Sequence, residues 1–217
     1  MADLGIQGNI LAFTKNFLQN RKIRVKTNNG QLSSQHALKN GIPQKALYLL
    51  SPTLFLLAIN SLVKNIQLPV KATLFADDLV VYMRSKNIDT MKEILQKTLD
   101  KLNTWSRQTG FQFSTEKTKY TIFSNRKTNI NIRLTMNRHL LQPVKAVKFL
   151  GVTMDSQLTW REHINNLIAS CQLRLNILKT LSNYTWGSDT TSLLRIYKTL
   201  IRSKIDYGVT QQPAKPY

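Results

Sequence analysis

The chain has 217 residues, 42% of them hydrophobic, with 31 Lys and Arg against 11 Asp and Glu and a formal net charge of +20. That length and apolar content exclude a disordered tail and suit one sizeable core or two small ones. A single cysteine, Cys171, excludes an internal disulfide and a cysteine-held zinc, and suits a reducing, intracellular setting, nuclear or cytoplasmic.

Residues 1–110 contribute +9 of the charge and residues 111–217 the other +11, so the positive field is not a terminal tail. An even field of this size points to a long polyanion, with nucleic acid first; a basic surface kept for solubility is the plainer reading. His36, His139 and His163 lie far apart without metal-ligand spacing. The start, MADLGIQGNILAF, lacks the basic and apolar regions of a signal peptide. Ser51, Pro52, Thr53, Asn60 and Ser61 interrupt the apolar run Ala46–Val63, which therefore reads as a soluble helix and not a membrane span.

In chain order, Ile10, Leu11, Phe13, Phe17 and Leu18 predict a short amphipathic helix over 9–19. Lys22, Arg24 and Lys26 alternate with Ile23 and Val25, and Asn29-Gly30 supplies a turn, which predicts a basic hairpin. Ser51 and Pro52 read as the N-cap and first residue of a buried helix running to about Lys64. Ala72 to Met83 reads as strand, turn and strand around Asp77 and Asp78. Thr90 and Glu93 suggest a capping box for a helix whose stripe is Met91, Ile94, Leu95, Leu99, Leu102 and Trp105, ending at Gly110. Short strands follow in FQF, YTIF, INIRL and VKFLGVTM, and between Lys117 and Lys148 there are eight Lys or Arg and no acid. Thr159 and Glu162 suggest a second capping box, and Ser188 or Asp189 caps a last helix, so that two antiparallel helices meet at Trp186-Gly187.

By itself the Asp77-Asp78 pair is either a plain turn or a metal anchor. Its apolar flanks, Leu74-Phe75 and Leu79 to Tyr82, hold the apex rigidly, and two adjacent carboxylates repel unless a cation joins them. Without His or Cys ligands, an all-oxygen site favours Mg²⁺ or Mn²⁺. Carboxylates within a polyanion-binding surface suit nucleotidyl transfer, in which two metals about 3.5–4 Å apart activate the attacking oxygen and stabilise the leaving one.

LFADDLVVY resembles the F/Y-A-D-D hairpin of reverse transcriptases from jockey-type non-LTR retrotransposons. GIPQ with LSPTLFLLAIN is similar to that family's G-V-P-Q-G-S-x-L-S-P-x-L-F block. WSRQTGFQFSTEKTKYTIF, VKFLGVTMDSQLTWREHI and LLRIYKTLIRSKIDYG resemble its later blocks, in family order over about residues 5–208. The resemblance implies an α+β fold: a partial right-hand polymerase palm, a small antiparallel sheet with packed helices, over 1–155. A helical thumb segment over 156–210 and a tail over 211–217 follow. It implies that Asp77 and Asp78 bind the metal, that Lys117 approaches the nucleotide phosphates as a catalytic residue, and that Gly41, Pro43 and Gln44 face nucleotide and template. Phe149, Leu150 and Gly151 become the primer grip. Partners are then an RNA template, a DNA primer and deoxynucleoside triphosphates, with Mg²⁺ or Mn²⁺ as cofactor.

The departures set the expected activity. Family members carry a further catalytic aspartate upstream of the G-V-P-Q block, whereas Asp3 is the one acid before Asp77 here. Lys45-Ala46 replace Gly-Ser, and Ser61 stands where aspartate is common. The resemblance thus implies a fragment of an RNA-directed DNA polymerase, weak or inactive alone, without fingers or the first catalytic strand. The alternative is a basic, non-catalytic RNA- or DNA-binding protein.

Overall fold

The computed structural model describes residues 5, 7–38, 41, 50–124 and 132–207. Two separately packed units emerge, residues 1–114 with 133–140 and residues 115–132 with 141–217. The boundary expected at 155/156 falls inside the second unit, where strand and helix on its two sides pack together.

In the first unit α1 (Asn9–Leu18) forms as its periodicity predicts. Its buried residue is Thr14, whose hydroxyl donates to the Ile10 carbonyl at 2.8 Å, while Ile10 and Phe13 stay exposed. The basic hairpin pairs β1 (Lys22–Ile23) with β2 (His36–Ala37), continues through a Lys26–Leu32 bridge, and turns where Gly30 takes a φ of 80°. Ile23 and Val25 are exposed with the cations, so the expected apolar face has no cover among the described residues.

Helix α2 (Leu50–Ile59) runs into a 3₁₀ segment, Asn60–Asn65, close to the expected end. Ser51 is helical and buried with no hydrogen-bond partner for its hydroxyl, so it is not the N-cap. β3 (Lys71–Phe75) and β4 (Asp78–Tyr82) form a hairpin, and α3 (Ile88–Thr109) follows. The cap of α3 is Asn87, whose side chain accepts from the N–H groups of Asp89 and Thr90 at 2.9 and 3.2 Å, in place of the expected Thr90–Glu93 box. Gly110 ends the helix at φ 80°, a left-handed position that a Cβ would penalise.

The core here is Ile59, Leu62, Leu102 and Trp105, with Leu74, Leu79 and Val81 of the hairpin packed on it. Period-two alternation explains the hairpin's attachment, since one face of each strand meets the helices while Phe75 and Asp78 stay outside. A second hairpin joins this unit: strands Thr135–Met136 and His139–Leu140, turned at Asn137 and Arg138 with φ of 49° and 67°. Gln96 clamps it to α3, accepting from the Thr135 N–H at 2.9 Å and donating to the Thr135 carbonyl at 3.0 Å.

In the second unit β5 (Lys119–Tyr120) pairs in parallel with β8 (Gln142–Pro143), β6 and β7 being the Thr135–Leu140 hairpin just described. β9 (Ala146–Phe149) pairs antiparallel with β10 (Val152–Asp155). Helix α4 (Arg161–Leu181) packs on β10, and a helical run of α5 (Thr190–Tyr197), a π segment (Lys198–Arg202) and α6 (Ser203–Asp206) returns along α4. Asp189 caps α5, as expected, accepting from the Ser192 N–H at 3.1 Å.

Three expectations need correction. FQF is not a strand, YTIF keeps only Tyr120 in β5, and INIRL forms no strand at 132–134, its other residues lying outside the described ones. The expected small sheet appears among the described residues as two-stranded pieces, one of them parallel. The start of α4 is held by Asp155, not by a Thr159–Glu162 box: its carboxylate accepts from the N–H groups of Gln157, Thr159 and Trp160 and from the Thr159 hydroxyl. Helices with short antiparallel strands make the chain α+β. No helix of the described residues is long and apolar enough to cross a membrane.

Candidate functional site

The Asp77-Asp78 apex is built by a full β-ladder. Lys71–Tyr82, Ala72–Val81, Thr73–Val80, Leu74–Leu79 and Phe75–Asp78 face one another, leaving Ala76 and Asp77 as a two-residue turn. Ala76 takes a φ of 50°. A left-handed alanine costs about 1–2 kcal/mol, and such strain survives where neighbours over-determine the backbone. Here the ladder and the seating of Leu74, Leu79 and Val81 on the core do so.

Asp77 and Asp78 are exposed, and neither carboxylate has a hydrogen bond or ion pair to a described residue. Two adjacent charges of one sign, free of internal partners and held on a rigid turn, suit a hard cation by donor chemistry. They fill part of one shell, which Mg²⁺ ordinarily completes with water and phosphate oxygens. Among the described residues no group of three or more His, Cys, Asp or Glu lies together. Beside the turn an open cleft of about 310 Å³ runs between α2 and the hairpin, reaching Ala76 and edged by the polar side chains of Thr53 and Asn60.

The other candidates are distributed over both units. Gly41 is described, with a φ of 93°, and its carbonyl accepts from the Arg21 guanidinium. A Cβ there would meet nothing within 4 Å, so the backbone angle is what calls for glycine. Pro43 and Gln44 lie outside the described residues, as do Lys45 and Ala46. Lys117 is exposed in the turn before β5, in the second unit.

Phe149, Leu150 and Gly151 lie together at the tip of β9 and β10. Phe149 faces Val152, and the two turn residues have φ of 46° and 83°. Positive φ at both positions is the I′ pattern that tight hairpins prefer, normally with Asn-Gly. A neighbour missed by periodicity completes this turn: the Tyr207 hydroxyl donates to the Leu150 carbonyl at 2.6 Å. Sequence offered one signal, the placement of Tyr207 in the last family-like block.

Asp155 is the clearest electrostatic feature. Desolvation acts upward on its carboxyl, but the N–H groups of Thr159, Trp160 and Gln157 and the Thr159 hydroxyl outweigh it and hold it below the usual value. Among the described residues one ion pair forms, Arg202 with Asp206 at 3.2 Å, both exposed. The remaining described cations form no ion pair with a described acid, which leaves their charge available to an external anion.

Comparison with known proteins agrees with these features. The family model for reverse transcriptase (RNA-dependent DNA polymerase) matches residues 3–154, most of the chain. The chain belongs to the reverse transcriptase family. It is 26% identical over 201 residues to an RNA-directed DNA polymerase from mobile element jockey of Drosophila melanogaster, covering 90% of this chain and 22% of that protein. The corresponding jockey protein of Drosophila funebris is 27% identical over 204 residues, with the same coverage of 90% and 22%. A probable RNA-directed DNA polymerase from transposon X-element of Drosophila melanogaster is 26% identical over 212 residues, covering 89% and 21%. The chain thus spans about a fifth of the length of these curated relatives. No solved structure matches it.

Proposed function

We propose that this chain is the palm and the start of the thumb of an RNA-directed DNA polymerase of a mobile element, with the Asp77-Asp78 hairpin as its metal anchor. The observation that carries this reading is the pair of unpartnered carboxylates on a turn locked by a five-pair ladder, in a chain otherwise rich in unneutralised cations. Asp77 and Asp78 would hold Mg²⁺ or Mn²⁺. When bound, the ion would acidify the attacking 3′-hydroxyl and neutralise charge on the triphosphate.

The chain's own residues supply position. The Phe149–Gly151 turn orients the primer end, Lys117 approaches the triphosphate, and Gly41 with Pro43 and Gln44 faces the template and incoming nucleotide. Cations along 117–148 track the nucleic-acid backbone without reading its sequence. RNA template, DNA primer and deoxynucleoside triphosphates are the substrates of this reading, by likeness to the relatives.

With two carboxylates in the hairpin and no third acid beside them among the described residues, the chain alone should incorporate little. That same observation favours a second reading, a nucleic-acid-binding protein without catalysis. Primer extension on an RNA template with Mg²⁺ or Mn²⁺, compared with the Asp77→Ala/Asp78→Ala chain, separates the two. Incorporation that disappears in the double variant makes the chain an enzyme whose site another carboxylate completes. No incorporation by either leaves the binding function.

A further inference from the structure

The tip of β9 and β10 poses a physical problem. Leu150 occupies a left-handed position, φ 46°, that a leucine adopts only under constraint, and it precedes Gly151 at φ 83°. Neither residue is fully buried, so core packing does not impose the turn. The β9–β10 ladder closes the turn at Phe149 and Val152, and Tyr207, 57 positions along the chain, braces it from outside: its hydroxyl donates to the Leu150 carbonyl at 2.6 Å. The same ring lies over Gly151, where a Cβ would stand 3.3 Å from ring carbon Cε1. Glycine at 151 therefore serves twice, by its positive φ and by admitting the tyrosine ring.

The ends of this arrangement are anchored. Tyr207 closes the helical run 190–206, whose Ile201 is buried, and that run packs on α4. α4 in turn begins at the loop that Asp155, the last residue of β10, ties down through the Thr159 and Trp160 N–H groups. Both sides of the hairpin thus connect to the helical pair, one through the chain and one through a single side-chain hydrogen bond.

We infer that Tyr207 is a positioning residue: its hydroxyl and ring latch the Leu150-Gly151 turn in the one geometry that meets a primer 3′ end, and so make the helical pair govern that turn. The inference rests on the primer-end role proposed above. A latch of this kind keeps a strained turn preorganised, so that ordering it is not charged against binding. Tyr207 itself touches no substrate in this scheme.

The test uses the full 217-residue chain and a labelled DNA primer on an RNA template, in two forms: with a recessed primer 3′ end and blunt-ended. Fluorescence anisotropy gives the ratio of the two affinities. Tyr207→Phe keeps the ring and removes the hydroxyl. It should lower the recessed-over-blunt ratio by about two- to tenfold, the range for one hydrogen bond, and leave blunt-duplex affinity unchanged. Amide exchange at Leu150–Val152 should quicken in the same variant. If Tyr207→Phe unfolds the second unit, amide exchange of the unsubstituted chain decides: protection at Leu150–Val152 should match that of α4, which the latch joins to the turn, and protection far below it overturns the latch. An unchanged ratio with unchanged exchange overturns the latch. Equal affinity of the unsubstituted chain for both duplexes removes the primer-end role and the inference with it, while loss of the ratio in the variant alone supports both.

Discussion

The indole N–H of Trp105 donates to the Ser61 hydroxyl at 2.9 Å, joining the C-terminal part of α3 to the 3₁₀ segment that follows α2. Trp105 also stacks on Phe111, ring centres 5.3 Å apart, and belongs to the core on which the aspartate hairpin rests. Ser61→Ala leaves a buried indole donor without a partner and should cost about 1–3 kcal/mol. Trp105→Ala should cost about 3–5 kcal/mol through the cavity left behind. Urea unfolding of the two variants measures both, and a Ser61→Ala midpoint equal to that of the unsubstituted chain would show that the Ser61 bond carries nothing.

Ala76 strains the turn that carries Asp77 and Asp78. Ala76→Gly relieves the φ of 50°, so the thermal midpoint should rise, by the equivalent of about 1 kcal/mol before the glycine's own entropy cost. Its carboxylate neighbours should then be held less rigidly, and Mn²⁺ should bind more weakly. Calorimetric titration of Mn²⁺ into both chains checks this, and a tighter site in Ala76→Gly would refute the role given to the strain.

Removing metal affinity should need both aspartates. The Asp77→Ala/Asp78→Ala chain should bind no Mn²⁺ yet unfold at the same or a slightly higher temperature, since the folded hairpin loses a repulsion and no internal hydrogen bond. Retained Mn²⁺ binding would move the metal site elsewhere.

The pH dependence follows from Asp155. Its donors act only in the folded chain, so the folded pKa lies below the unfolded one. The stabilisation is therefore complete above the unfolded value, about 3.9 for an aspartate, and is lost as pH falls through the folded value. Asp189 is lowered too, through the Ser192 hydroxyl and N–H, and adds in the same direction. Asp155→Asn should lower stability at pH 7 and flatten the acid limb of the midpoint against pH, as read by thermal melts from pH 2 to 7.

Salt should weaken nucleic-acid binding steeply. Contact with six to ten phosphates predicts a fall of about 10³–10⁵ in affinity between 50 and 200 mM salt. Charge removal at Lys145 and Lys148 should reduce the slope, measured by anisotropy, and a flat response would exclude every nucleic-acid reading of this surface.

Local chemistry made much of this molecule legible. The stripe Leu95, Leu99, Leu102 and Trp105 and the stop at Gly110 are properties of one helix, and α3 has them. The arms around Asp77-Asp78 read as a hairpin because apolar flanks enclose a polar apex, and the hairpin forms with its turn one residue earlier, at Ala76-Asp77, and Asp78 paired with Phe75. The caps were harder: Asn87 and Asp155 hold helix starts that nearby Ser/Thr-Glu pairs mimic, because any short oxygen side chain can reach an N–H and only the backbone path selects which does. Between 111 and 143 fewer residues form strands than the β-rich composition predicts, since such sequence becomes a strand only when a partner edge is available.

By itself the sequence determined the family, through ordered blocks carrying Asp77-Asp78 and Phe149–Gly151, because those patterns are local and survive divergence. Only the tertiary structure decided which contacts hold them: Gln96 on Thr135, Trp105 on Ser61 and Tyr207 on Leu150. Each joins residues 39 or more positions apart. Such pairings are set by how helices and strands pack, and no periodicity along the chain encodes them.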